Sequence, residues 1–341
     1  MRPYDRIMAA LSGKKPDRVP VVPWVRDWCV MQAGFGITDM MENIGKYVYA
    51  QYETRKKFGY DAVFDLCAIE AVSEAMGVVI HYNNDTSPRP LQHIIHDYNQ
   101  DLDKLRIPNP HRDGRLPMIL CGLARLKEIC RGEIPVIGYL QGPLRHAATL
   151  RSYEELLKDI FRNQEPLREL LDLAVDSLIV YGEALVHAGA DIVLISDPAS
   201  SGDMISRKQF EKWGMPALYR VTRFLRRTGT TVILHVCGQT IDRLDLFAQL
   251  AIDGMSLDEK VDLEKAREVL GDRICIFGNV SPSSTLCFGT PKDVDRESKE
   301  CIKKAGKNGP FILGSGCIIP SLAKPENIAA MVAAAEKYGY Y

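Results

Sequence analysis

Short apolar runs alternate along this chain with longer segments in which apolar residues recur every three or four positions. The runs are "RVPVVPW" (18–24), "YDAVFDL" (60–66), "IPVIGYLQGP" (134–143), "ADIVLISDP" (190–198), "TVILHVCG" (231–238), "DGMSLDE" (253–259), "ICIFGNVSP" (274–282) and "PFILGSGC" (310–317). Each is apolar almost throughout, as parallel strands covered on both faces must be. Most leave through Gly, Pro, Asp or Ser, which suit a strand-to-loop exit. Between them, 152–189 has helical spacing, opens on Ser152 and Glu155 in a capping-box arrangement, and holds Pro166, which predicts two helices rather than one. The segment 206–229 predicts a helix from a serine cap to Gly229, and further helices are expected over 240–251, 262–270, 291–307 and 324–338.

Eight βα units predict an α/β fold, a TIM (β/α)8 barrel, as one domain over residues 1–341. The opening "MRPYDRIMAALSGKKPDRVP" predicts an amphipathic helical extension followed by a turn. Residues 67–133 exceed what one crossover needs, and "GVVIHYNN" (77–84) with "LQHIIHD" (91–97) predicts a small β-hairpin insertion. No internal repeat, low-complexity tract or second domain is read from the pattern.

Barrels of this kind work at the C-terminal ends of their strands, so the polar residues closing the runs come first. His235 and Cys237 lie two apart at the end of the fifth run and therefore aim the same way. Cys317 closes the eighth run after two glycines, facing the same central space. One imidazole and two thiolates suit Zn2+, and three protein ligands with an open fourth position describe a catalytic rather than a structural site. Taken singly, a buried cysteine or histidine is more often core packing than a ligand. Asp258 and Glu259 close the sixth run, and strand alternation lets only one of them turn inward as a fourth ligand. Asp197, at the head of the loop 198–210, is expected either to line the pocket or to cap a helix or turn.

Composition narrows the partners. Lys+Arg is 43 against 44 for Asp+Glu, a balance that offers no basic field for nucleic acid or an anionic membrane. No apolar run reaches the ~18 residues of a membrane span, and the N-terminus lacks a secretory core. Nine scattered cysteines without small-scaffold spacing point to reduced thiols and a cytoplasmic protein.

The blocks "RIMAALSGKKPDRVPV", "MGVVIHYNND", "LRIPNP", "FGNVSPSSTL" and "ILGSGCIIPSLAKPENI" resemble the uroporphyrinogen decarboxylase superfamily over nearly the whole chain. Within it the chain is most similar to the MtaA/CmuA branch of corrinoid-dependent methyltransferases. That resemblance implies zinc bound by His235, Cys237 and Cys317, with the branch's acidic neighbour falling on Asp258. It implies methyl transfer between methylcobalamin, as co-substrate, and a small donor or acceptor: a thiol such as coenzyme M, tetrahydrofolate, or a methylated one-carbon substrate. Two departures separate the chain from the decarboxylase: "PWVRDWCVMQAGF" keeps Arg26 without the Arg-rich segment, and Gly316-Cys317 stands where the decarboxylase has Gly-His. Asp65 matches the aspartate that the decarboxylase turns to pyrrole N–H groups, so Asp65, Asp197 and Arg26 are candidate substrate or cofactor contacts. Arg26 and Arg145 are candidates for an anionic substrate group. None of the 7 histidines sits in an Asp-x-His-x-x-Gly corrinoid-ligating motif, so the corrinoid is expected on a separate protein. The decarboxylase relatives dimerise, so the resemblance leaves a homodimer open, while the pattern itself shows no interface. The competing readings are a metal-free decarboxylase and a non-catalytic corrinoid- or tetrapyrrole-binding barrel.

Overall fold

The structure, a computed structural model, describes residues 1–66, 69–83, 88–307 and 309–341. All eight apolar runs form strands: β1 Val21–Val22, β2 Val63–Phe64, β3 Val136–Gln141, β4 Ile192–Ser196, β5 Thr231–Val236, β6 Gly254–Leu257, β7 Cys275–Val280 and β8 Phe311–Ser315. They pair in parallel in the order β1-β8-β7-β6-β5-β4-β3-β2, with helices in the crossovers, and curl into a TIM-type barrel.

Period-two alternation sorts each strand into two sets. Val193, Ile195, Leu234 and Val236 face the surrounding helices. Ile192, Leu194, Ile137, Tyr139 and Ile233 face inward and fill the barrel. The helix Pro3–Leu11 closes the N-terminal end of this inner core with Ile7, Ala10 and Leu11. That is the expected N-terminal extension, now with a packing role. Gly254 belongs to the same layer: a Cβ there would lie 3.0 Å from Leu11 and 3.2 Å from Ile233.

The ring closes between β1 and β2 around one carboxylate. Asp61 N donates to Val21 O at 2.8 Å, and Asp61 Oδ2 accepts from Val21 N at 2.8 Å. The same carboxylate receives Arg6 Nη1 at 2.8 Å and Arg18 Nη1 at 3.0 Å. Asp61 is 1% exposed, so the two guanidinium groups neutralise a charge that water does not reach.

The helical segments follow their signals. Ser152 Oγ accepts from Glu155 N, and the segment breaks at Asn163 into helices Tyr153–Arg162 and Gln164–His187, leaving Pro166 in the first turn of the second, where its missing N–H costs little. Ser206 Oγ accepts from Gln209 N at the start of the 207–227 helix. The hairpin differs from expectation. Its strands are Val79–His81 and Arg89–Gln92, so the second strand starts before the 91–97 run and ends inside it. Ile94 N and Ile95 N donate instead to Leu150 O, and Ile95 is buried against the barrel's helices. Packing on the helix Pro143–Arg151 thus takes those residues out of the ladder. Asn84 and Asp85, in the expected hairpin and the MGVVIHYNND block, lie outside the described residues.

Asp61→Ala removes the buried carboxylate that Arg6 and Arg18 share at the closure, and is expected to cost about 3–5 kcal/mol of stability. Urea unfolding of the variant against the wild type checks this, with Asp17→Ala, at a more exposed partner of Arg6, falling well below that cost.

A histidine and two cysteines at the barrel mouth

The inward series of β5 runs Ile233, His235, Cys237. His235 is fully buried and Cys237 half-buried, because the strand ends at Val236 and carries the cysteine onto the mouth. His235 Nε2 lies 3.0 Å from Cys237 Sγ, and Cys237 Sγ lies 3.4 Å from Cys317 Sγ. The ligand atoms of His235, Cys237 and Cys317 all lie within 4.8 Å of one another. Cys317 arrives from β8 through Gly316, where a Cβ would come within 2.6 Å of Glu259 N; only glycine lets the two strand exits pass so closely.

This donor set fits a tetrahedral metal ion. Bonds of about 2.3 Å to sulfur and about 2.0 Å to nitrogen separate neighbouring ligand atoms by about 3.5–3.8 Å. The His235–Cys237 and Cys237–Cys317 spacings of 3.0 and 3.4 Å reach that by opening a few tenths of an ångström. Without an ion the two sulfurs share charge unequally. The hydrogen bond to Cys317, then burial, push the Cys237 thiol far above its ordinary range. The bond from Cys237, aided by His235, pulls Cys317 well below. The opposite directions reflect one hydrogen bond shared between the two sulfurs, and a dication there would let both sulfurs ionise.

The other ring nitrogen of His235 has a partner that sequence reading missed. Nδ1 lies 3.0 Å from Ser256 Oγ, and the two residues are register partners on β5 and β6. Nδ1–H donating to that hydroxyl leaves the Nε2 lone pair on the side of the sulfurs. Trp24, just past β1, also went unread; its ring meets the imidazole edge-on at 4.8 Å. The usable signal for Ser256 was parity: residues 254, 256 and 258 share the inward face of the sixth run.

The acidic pair divides as alternation requires, with Asp258 buried and Glu259 exposed. Asp258 sits beside the triad, but its oxygens accept Gly238 N at 2.8 Å and Lys260 N at 3.0 Å. It ties down the turn that follows Cys237. Gly238 has φ +81°, and a Cβ there would meet Asp203 Oδ2 at 2.3 Å, so the 198–210 loop packs directly on this turn. Asp65, at the end of β2, is buried and accepts Tyr139 N at 3.0 Å.

Of the two alternatives open for Asp197, the structure takes the cap. Asp197 is completely buried; Oδ1 accepts Arg145 N at 2.8 Å, and Oδ2 accepts Leu144 N at 3.3 Å and Ser200 Oγ at 3.0 Å. It thus caps the helix Pro143–Arg151, whose first amide groups lack partners within the helix. Arg26 is not turned to a ligand: it is 1% exposed and grips the adjacent Asp27 through Nε at 2.7 Å and Nη2 at 2.6 Å. Arg145 donates through Nη2 to Glu70 Oε1 at 2.7 Å. Glu70 Oε2 also accepts Gln141 Nε2 and Thr149 Oγ1, both at 2.9 Å. Beneath this network His146 is fully buried with Nδ1 2.8 Å from Ser73 Oγ, and burial lowers its pKa to about 3.

Fold and site together define a (β/α)8 protein whose polar groups converge at the C-terminal mouth, the working end of that architecture. The chain belongs to the uroporphyrinogen decarboxylase (URO-D) family, whose pattern matches residues 2–338. It is 30% identical to the methylcobamide:CoM methyltransferase MtaA of Methanosarcina barkeri, over 98% of this chain and 97% of that protein. It is 28% identical to the methylcobamide:CoM methyltransferase MtbA of Methanosarcina acetivorans, over 99% and 98%. The solved structure of a methyltransferase from Methanosarcina mazei superposes with a TM-score of 0.90 at 28% identity, covering 99% of both chains. Among the described residues no helix is long and apolar enough to cross a membrane.

Two tests follow from this geometry. Ser256→Ala is expected to weaken metal binding about 10–100-fold with little loss of stability, measured by chelator competition. His146 stays neutral in the fold while the unfolded chain protonates near the ordinary value of about 6.5. Stability from this residue is therefore complete above about 6.5 and falls as pH drops from there toward 3. Urea midpoints across that window should fall less steeply in His146→Gln than in the wild type.

Proposed function

We propose that this chain is a corrinoid-dependent methyltransferase, moving a methyl group between a corrinoid carried on a separate protein and a small thiol, at a zinc ion held by His235, Cys237 and Cys317. The observation that carries the reading is the triad itself: one imidazole and two sulfurs converging at the mouth. The similarity to two methylcobamide:CoM methyltransferases supports the same reaction. When bound, zinc lowers the pKa of a substrate thiol so that it is present as the thiolate, the nucleophile that takes a methyl group from cobalt.

The chain's residues prepare that event. Cys237 and Cys317 as thiolates, with a neutral His235, cancel the charge of a dication, so a further thiolate stays electron-rich. Ser256 holds the imidazole tautomer, and Asp258 holds the turn after Cys237 through Gly238 N. In the transfer a sulfur–carbon bond forms as the cobalt–carbon bond breaks. Both electrons of the broken bond remain on cobalt. In this reading the thiol is coenzyme M or a compound like it. Tetrahydrofolate or a methylated one-carbon substrate on the same site would run the same chemistry from a different partner.

The expected result is one zinc per chain in the wild type, with methyl transfer from methylcobalamin to a thiol. Cys317→Ser and Cys237→Ser should lower both zinc content and rate by about tenfold or more, since a three-ligand site does not survive on two. Zinc is measured by elemental analysis and transfer by the absorbance change of methylcobalamin. A metal-free wild type that consumes uroporphyrinogen would overturn the reading in favour of a decarboxylase.

A further inference from the structure

Trp24 occupies an unusual place for an indole. Its ring is 1% exposed and meets the His235 imidazole edge-on at 4.8 Å between centroids. It stacks on Phe64 at 6.0 Å and leans on Tyr139 at 6.3 Å. Its backbone is pinned to both sides of Cys317: Trp24 N donates to Ser315 Oγ at 3.0 Å, and Ile319 N donates to Trp24 O at 3.0 Å. The ring is thus held between the strand that brings the histidine and the loop that brings the second cysteine. Yet the indole Nε1–H, a donor with no acceptor capacity of its own, is buried with no hydrogen-bond partner among the described residues.

A buried unpaired donor is a standing cost that the native state normally avoids. Phenylalanine at this position would keep an aromatic ring against Phe64 and His235 and remove that cost. Retaining an indole here is explained when something that enters the site accepts from it. We propose that Trp24 is a substrate-contacting residue whose indole N–H is reserved for an oxygen acceptor on the small molecule that binds beside His235, Cys237 and Cys317. Trp24 then sets specificity among thiols. The sulfur goes to the metal, and a thiol bearing an oxygen group a few bonds away gains one hydrogen bond that a plain alkyl thiol lacks. This rests on the metal-site reading above.

The test uses the full chain loaded with Co2+ in place of zinc, whose sulfur-to-cobalt absorption reports thiol binding without any methyl transfer. The probes are the neutral pair 3-mercaptopropan-1-ol and 1-butanethiol, which match in length and differ in one oxygen. The wild type is expected to bind the oxygen-bearing thiol about 5–10-fold more tightly, the range one neutral hydrogen bond supports. Trp24→Phe is expected to melt no lower than the wild type, to keep its cobalt spectrum, and to lose that preference. Because a smaller ring leaves space, the same titration is run with benzothienylalanine at position 24, which keeps the bicyclic shape and lacks the N–H. An unchanged preference in both variants, with cobalt bound, would overturn the role of Trp24 and leave the metal site standing. Loss of preference in Trp24→Phe alone assigns the effect to shape and also overturns it. A wild type that binds no cobalt would sink the metal reading and this inference together.

Discussion

The mouth of this barrel depends on how the ring is closed. Six of the strands pair over four to five residues with at least one neighbour, but β1 touches β8 over only two residues and β2 touches β3 over only two. Between β1 and β2, Asp61 supplies the join through both its amide and its carboxylate. A buried carboxylate is tolerable there because Arg6 and Arg18 converge on it, and Arg6 comes from the helix that plugs the barrel floor. One ion cluster therefore ties the N-terminal extension, the first strand and the second into one unit. Trp24 and the Cys317 loop at the other end inherit their positions from that closure, since Trp24 follows β1 directly and bonds on either side of Cys317.

At the mouth the dominant constraint is charge in a poorly solvated place. Two sulfurs 3.4 Å apart beside a fully buried imidazole would repel each other as thiolates. The nearby charges are already matched: Arg26 with Asp27, Arg145 with Glu70 and Lys260 with Asp203. Asp258 is matched by backbone amides. Such pairing leaves the sulfurs as the groups whose charge a bound dication would balance.

Much of this was legible along the chain because two periodicities are local properties. Apolar runs over 134–143, 190–198 and 231–238 are strands wherever they lie, since only a doubly covered strand needs both faces apolar. His235 and Cys237 share a side because residues two apart in a strand always do. The pairing of Asp258 with burial and Glu259 with exposure obeys the same alternation. The hairpin formed, but its second strand shifted where local signal met tertiary competition: "LQHIIHD" has strand composition, yet Ile94 and Ile95 bond Leu150 O under the helix instead of extending the two-stranded ladder. Arg26 reads as a ligand contact, and Asp197 stays between two roles, for a related reason. A charged residue near a strand end is equally compatible with a ligand, a neighbour's carboxylate or a helix cap, and only the fold says which partner lies within 3 Å.

The sequence alone determined the number and order of the strands, the inward aim of the His-x-Cys pair, and a third thiol at the exit of the eighth run. These follow from repeat lengths of two and 3.6 residues and from the closed ring that eight βα units make. Tertiary structure alone decided that the two sulfurs meet at 3.4 Å, that Ser256 sits level with His235 to hold its Nδ1, and that Asp258 serves a turn. It also decided that the Trp24 ring packs edge-on against the imidazole, with an N–H that no described residue accepts. Each of these depends on strand register and on the angle of loops from opposite sides of the barrel, and no window of neighbouring residues contains that information.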